Sequence, residues 1–109
     1  MNYEIFYSPA AASDLESVWD GVFEASSDYD TADNYVNGIR EKIRSIQRIP
    51  RSGIPLCFEN VFTGVYFVIY KKYNAFYRIR ENRIEVSRIL LGKSNYLTQV
   101  LNGFDDEHF

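Results

Sequence analysis

Residues 66–96 read YFVIYKKYNAFYRIRENRIEVSRILLGKSNY, and the fold follows from this stretch. Val65 to Tyr70 is a run of β-branched and aromatic residues, the side chains that suit a pleated, half-buried surface. Lys71-Lys72 interrupts it, Tyr73 to Ile79 makes a second run, Arg80-Glu81-Asn82-Arg83 is a polar turn, and Ile84 to Leu91 makes a third. Connections this short join only antiparallel neighbours, because a parallel pair needs a crossover of about a dozen residues. The stretch therefore predicts an antiparallel meander. Both faces read as apolar. Tyr66, Val68 and Tyr70 alternate with Val65, Phe67 and Ile69, and Tyr73, Ala75, Tyr77 and Ile79 alternate with Asn74, Phe76 and Arg78. A sheet with one wet face alternates more cleanly, so each face needs a cover: helices on one, and a short C-terminal helix or a partner chain on the other.

Working outward, Tyr3 to Tyr7 reads as a short strand. Ser8-Pro9 opens a helix, with serine as cap and proline at the first helical position; Ser13 and Glu16 offer a second capping spacing. Ala11, Leu15, Val18, Trp19 and Val22 share one helical face, and Glu16, Asp20, Glu24 and Asp28 recur every fourth residue on another. A second helix is expected from about Thr31. Its stripe is Ala32, Val36, Ile39, Ile43 and Ile46, running to Ile49 before Pro50 stops it. Arg40, Arg44 and Arg48 flank that stripe, and Arg40 and Arg44 are placed to meet Asp20 or Glu24 across a helical hairpin. Leu56 to Phe62 reads as an edge strand, with Thr63-Gly64 turning into the meander. Ser94-Asn95 caps a short helix through Leu101, leaving residues 102–109 as a frayed tail. The fold class is α+β: an N-terminal strand, an α-helical hairpin packed on an antiparallel meander, and a short C-terminal helix, in one domain over residues 1–109.

The net charge of −3 conceals a segregation. Residues 1–39 hold eight acids and no Lys or Arg. Residues 40–100 hold all twelve basic residues against Glu41, Glu59, Glu81 and Glu85, a net of +8. A basic sheet half suits nucleic acid or an acidic protein segment; alternatively the two halves neutralise each other. Lone Cys57 reads as core. No basic-plus-apolar leader and no bilayer-length apolar run is present, so a cytoplasmic protein without membrane contact is expected.

Familiar catalytic patterns are sparse. His108 is the single histidine, which excludes an internal histidine triad or a multi-histidine metal site, and the glycines form no phosphate-cradling pattern. No cofactor and no metal is expected. The candidate binding residues are Tyr77, Arg78, Arg80, Arg83, Arg88, Lys93 and Tyr96. Arg88 shares its parity with Ile84, Val86 and Leu90, and an arginine on an apolar strand face calls for a carboxylate or carbonyl partner.

Four segments carry a resemblance: YEIFYSPAAASDLESV at residues 3–18, IRSIQRIPRSGIP at 43–55, YNAFYRI at 73–79 and IEVSRILLGKSNYLTQVL at 84–101. In this order they resemble the RelE/ParE superfamily, the toxins of type II toxin–antitoxin systems. The ParE-like branch is the more similar, in SPAAASDL and in FYRI followed by RIL. The resemblance implies a toxin that poisons DNA gyrase, arrests growth and supports plasmid stability. It implies neutralisation by an acidic antitoxin that folds on binding, with room for higher-order toxin–antitoxin assembly. The alternative is a RelE-like endoribonuclease cutting messenger RNA on the ribosome. In that branch an arginine follows the glycine where Tyr66 stands near Gly64, and histidine and arginine are common where Leu91 and Ser94 stand. Arg78, Lys93 and Tyr96 would then supply base, acid and phosphate neutralisation. A third reading is an inactive homologue that only binds an antitoxin.

Overall fold

The meander dominates the computed structural model, which describes residues 3–92, 97–104 and 109. Its strands are β3 (Val61–Tyr70), β4 (Tyr73–Arg80) and β5 (Arg83–Leu91). The two connecting turns are two residues each, with Lys71 and Glu81 in the left-handed region at φ 53° and 55°, as tight hairpins of right-twisted strands require. The N-terminal strand β1 (Glu4–Tyr7) pairs in parallel with β5, and β2 (Ile54–Phe58) pairs antiparallel with β3. The sheet order is β1-β5-β4-β3-β2. The turn into β3 falls at Glu59-Asn60, both at positive φ, rather than at Thr63-Gly64, which lies inside the strand. Cys57 faces solvent on the edge strand and not the core.

Between β1 and β2 run the hairpin helices α1 (Pro9–Ser26) and α2 (Tyr29–Arg44). Ser8 caps α1 through Ala11 N–H, as its position before Pro9 implies. Asp28 caps α2 two residues earlier than the apolar stripe suggests, by accepting from Asp30 N–H and the Thr31 hydroxyl. The α2 helix stops at Arg44, so Ile46 reaches the core from a turn and Ile49 is left exposed. No described helix is long and apolar enough to cross a membrane.

Alternation sorts the two sheet faces as read. Ala11, Leu15, Val18, Ile39 and Ile43 of the hairpin pack on Val68, Ala75, Tyr77, Ile84, Val86 and Ile89, with Tyr66, Tyr70 and Tyr73 at the margin. The second face carries Val65, Phe67 and Phe76, covered by α3 (Leu97–Phe104) through Val100 and Phe104. The helix runs three residues past its expected end at Leu101, and Phe104, assigned above to a frayed tail, is buried; the expected Ser94-Asn95 cap lies outside the described residues. Gly103 admits this packing, since a Cβ there would stand 2.7 Å from the Ser87 carbonyl oxygen. Around the patch covered by α3, Ile54, Phe58, Val61 and Ile69 remain exposed.

One irregularity decides how α1 meets the sheet. The β4–β5 register slips between Phe76 and Tyr77, which pair with Arg88 and Val86, so Ser87 is an extra residue. Parity therefore breaks at Ser87. Arg88 does not share a face with Ile84 and Val86, and it turns to the β5 edge beyond the end of β1. There Asp14 of α1 accepts from Arg88 Nε at 2.7 Å, Arg88 Nη2 at 2.8 Å and the Ile89 amide at 2.9 Å. Ser8 completes the seam: its amide donates to Val86 O and its hydroxyl to Ser87 O. The shared carboxylate also raises the Arg88 pKa above its ordinary value.

Replacing Asp14 with Ala strands a partly buried guanidinium and the Ile89 amide, and should cost about 2–3 kcal/mol in denaturant titration. Asp14→Asn, which keeps an acceptor, should lose clearly less. Tyr77 is fully buried, and its hydroxyl donates to Pro50 O at 2.6 Å. Burial pushes its pKa up to about 12, against an opposing hydrogen bond from the Gly53 backbone. The folded chain thus holds a proton that the unfolded chain releases near pH 10. Stability from this group is intact below pH 10 and falls by about 2–3 kcal/mol as pH rises toward 12. In Tyr77→Phe, thermal melts between pH 10 and 12 should show a correspondingly flatter decline.

Candidate functional site

The seven residues singled out from sequence do not form one surface. Tyr77 lies in the core and presents nothing to solvent. Arg88 is bound into the α1 seam, so reversing its charge would disrupt the fold before it reported on a partner. Lys93 and Tyr96 lie outside the described residues. Arg78, Arg80 and Arg83 come together at the end of the meander.

Cross-strand register builds this cluster. Arg78 on β4 lies opposite Glu85 on β5, and Glu85 lies opposite Phe6 on β1; on its other side Arg78 faces Val65 on β3. Residues directly across from one another share a face, so Phe6, Glu85, Arg78 and Val65 make a row on the α3 side. Glu85 is 4% exposed. It accepts from Arg78 Nε at 2.7 Å, and Arg83 Nη2 stands 3.6 Å from its second oxygen. A buried carboxylate needs such neutralisation to remain ionised. The outer faces of both guanidiniums lie on rings: Arg78 is 4.4 Å from the Phe104 centroid and Arg83 is 4.1 Å from that of Phe6. Arg83 Nε is buried with no hydrogen-bond partner among the described residues. Arg80 stands exposed opposite Arg83 at the turn.

Beside the row runs a groove of about 380 Å³ lined by Thr63, Gly64, Val65, Arg78, Ile79, Leu101 and Phe104. Its lining mixes the apolar side chains of Val65, Leu101 and Phe104 with polar Thr63 and the Arg78 guanidinium. Two arginines on one carboxylate, with Arg80 alongside, leave the region cationic. Such a surface offers charge and shape to a partner. Among the described residues no cluster of His, Cys, Asp and Glu is arranged to hold a metal. Glu85 and Phe104 were not singled out in the sequence. The parity of Glu85 opposite Arg78 across a two-residue turn was a usable signal, whereas Phe104 was masked by its place in an acidic tail.

The segregated charges stay largely segregated. Among the described residues, Asp14–Arg88 is the one ion pair joining the acidic first 39 residues to the basic remainder. The expected contacts of Arg40 and Arg44 with Asp20 or Glu24 are not made. Arg44 pairs with Glu41 one turn away at 2.5 Å, and Arg40 lies over the Tyr7 ring at 5.5 Å. Both helical arginines line the groove between α2 and β1.

The family described as "ParE toxin of type II toxin-antitoxin system, parDE" matches residues 5–96. No curated protein matches the chain. Among solved structures, the chromosomal ParDE toxin–antitoxin system from P. aeruginosa aligns at 21% identity with a TM-score of 0.69, covering 82% of this chain and 95% of that one. A YoeB/ParE toxin from Agrobacterium tumefaciens aligns at 19% identity and a TM-score of 0.55, covering 81% and 96%. A RelBE toxin–antitoxin complex from Mycobacterium tuberculosis aligns at 20% and 0.52, covering 84% and 99%. These structural likenesses establish the fold, and the match over residues 5–96 establishes the lineage: the chain belongs to the ParE toxin family of type II toxin–antitoxin systems.

Proposed function

We propose that the chain is a ParE-like toxin that acts by binding and poisoning DNA gyrase in the cytoplasm, and that a cognate antitoxin neutralises it. The observation that carries this reading is how the basic residues are held. Arg78 and Arg83 share Glu85 and lie on the Phe104 and Phe6 rings, an arrangement that suits a rigid contact surface. Arg88 is clamped by Asp14 and the Tyr77 hydroxyl is buried against Pro50, so neither is presented for proton transfer to or from an RNA sugar hydroxyl. The groove beside Arg78, with exposed Leu101 and buried Phe104 among its lining, offers an apolar anchor next to a guanidinium, a combination at which binding energy concentrates.

The test is reporter-plasmid topology shortly after induction in bacteria without the antitoxin. Wild-type protein should give relaxed or protein-linked cleaved plasmid. The exposed-site variants Leu101→Glu and Arg80→Glu should fold normally by circular dichroism, with Leu101→Glu weakening the effect by about tenfold or more. Growth arrest with unchanged topology and cleaved messenger RNA would replace gyrase by the ribosome as target. Unchanged topology with normal growth would identify an antitoxin-binding homologue without toxicity.

A further inference from the structure

The bend of the helical hairpin carries an aromatic surface that neither core uses. Trp19 and Phe23, one turn apart on α1, stack with ring centroids 5.2 Å apart. Tyr29, at the start of α2, lies 4.6 Å from Phe23 and 5.9 Å from Trp19. Trp19 and Phe23 are half-buried and Tyr29 is 66% exposed. None of the three packs into the clusters on the two sheet faces.

Carboxylates stand beside each ring. Residues three or four apart on a helix are neighbours, which sets Glu16 beside Trp19, Asp20 beside Phe23 and Asp33 beside Tyr29. All three acids are exposed, and none pairs with Lys or Arg among the described residues. Trp19 Nε1–H donates to Asp33 Oδ1 at 2.8 Å, which fixes the indole and leaves the second carboxylate oxygen without a partner among the described residues. Residues 1–39 contain no Lys or Arg, and no described cation lies over these rings.

The same chain shows what a ring beside a carboxylate takes. Arg78 lies 4.4 Å from the Phe104 centroid with its Nε donating to Glu85 at 2.7 Å. Arg83 lies 4.1 Å from the Phe6 centroid with Nη2 3.6 Å from the second Glu85 oxygen. A guanidinium is planar, so it stacks on a ring with one face and keeps its in-plane N–H groups for a carboxylate. The hairpin presents both halves of that arrangement to solvent.

We propose that Trp19, Phe23, Tyr29 and Asp33 form a docking surface for an arginine-bearing segment of a partner protein. An arginine stacks on the ring surface at Phe23 and Tyr29 and donates to the open Asp33 oxygen, and Glu16 and Asp20 hold flanking basic residues. The surface is negative, the opposite of what an acidic segment requires, so this partner is distinct from one bound by the arginines of β4 and β5.

Trp19 is the single tryptophan and reports on the surface directly. The probe is a synthetic peptide of alternating Arg and Gly, titrated into the purified chain at low salt and read by Trp19 emission. A saturable change is expected, weakened by added salt. The peptide with Lys in place of Arg should bind at least about threefold more weakly. Tyr29→Ala, which alters no charge and removes an exposed ring, should raise Kd about fivefold or more. Asp33→Asn should do the same, whereas Glu59→Gln, an equal charge change at the exposed β2–β3 turn, should change Kd about twofold at most. Absence of a saturable change would overturn the proposal. Indifference to Tyr29→Ala, or equal losses in Asp33→Asn and Glu59→Gln, would reduce the effect to diffuse attraction and also overturn it. Spermidine displacing the peptide at equal concentration would make the occupant a small polyamine instead of a protein segment. A wild-type dimer in sedimentation that the peptide dissociates would make it a second copy of this chain. None of these readouts depends on toxicity.

Discussion

The carboxylate of Asp14 is the point on which the two layers depend. The β1 strand ends at Tyr7, but its neighbour β5 continues to Leu91, so the outer backbone groups of β5 beyond Val86 would face a helix with no strand to receive them. An unpaired amide buried there costs as much as a lost hydrogen bond. Ser8 and Asp14 take those groups, and the chain thereby passes from strand pairing to helix capping without leaving a gap. The same carboxylate neutralises Arg88. Once α1 is fixed in this way, the two-residue connection at Ser27-Asp28 carries α2 back across the sheet, and the stripe of Ile39, Ile43 and Ile46 closes the main core.

Because Asp14–Arg88 is the single ion pair between the acidic first third and the basic remainder among the described residues, folding does not erase the charge pattern of the sequence. Asp20, Glu24 and Asp28 stay on the exposed face of the hairpin, and most of the arginines lie on β4, β5 and the flank of α2 that faces β1. Surface pairs between them would have contributed little stability. Leaving them apart keeps two opposed fields available to partners, which suits a protein whose family works through complexes.

The legible parts of the sequence were those written in periodicity. The β-branched and aromatic runs located β3, β4 and β5, the polar stretches Lys71-Lys72 and Arg80–Arg83 located their turns, and alternation separated Tyr66, Val68 and Tyr70 from Val65, Phe67 and Ile69 without telling which face the helices cover. The same alternation placed Tyr77 beside Ala75 and so in the core, but its chemical type had put it among the binding residues. Ser87 was illegible, since nothing local marks a bulge at a serine between Val86 and Arg88, and every parity beyond it inverts. Cys57 was misjudged because an apolar stretch on an edge strand looks the same in sequence as one in a core. The Arg78, Glu85 and Phe104 cluster joins residues up to 26 positions apart, a proximity that only the sheet register and the docking of α3 create.

Ser87 ties these features into one mechanical unit. Its carbonyl accepts the Ser8 hydroxyl from the α1 side, and the same carbonyl lies against Gly103 of α3 so closely that no side chain fits between. The extra residue that sends Arg88 to Asp14 is thus also the seat of the C-terminal helix. That helix holds Phe104 over Arg78, whose other edge is bound to Glu85. Arg78 is thus the residue at which the charged row and the C-terminal helix meet, held at one edge by Glu85 and covered on one face by Phe104.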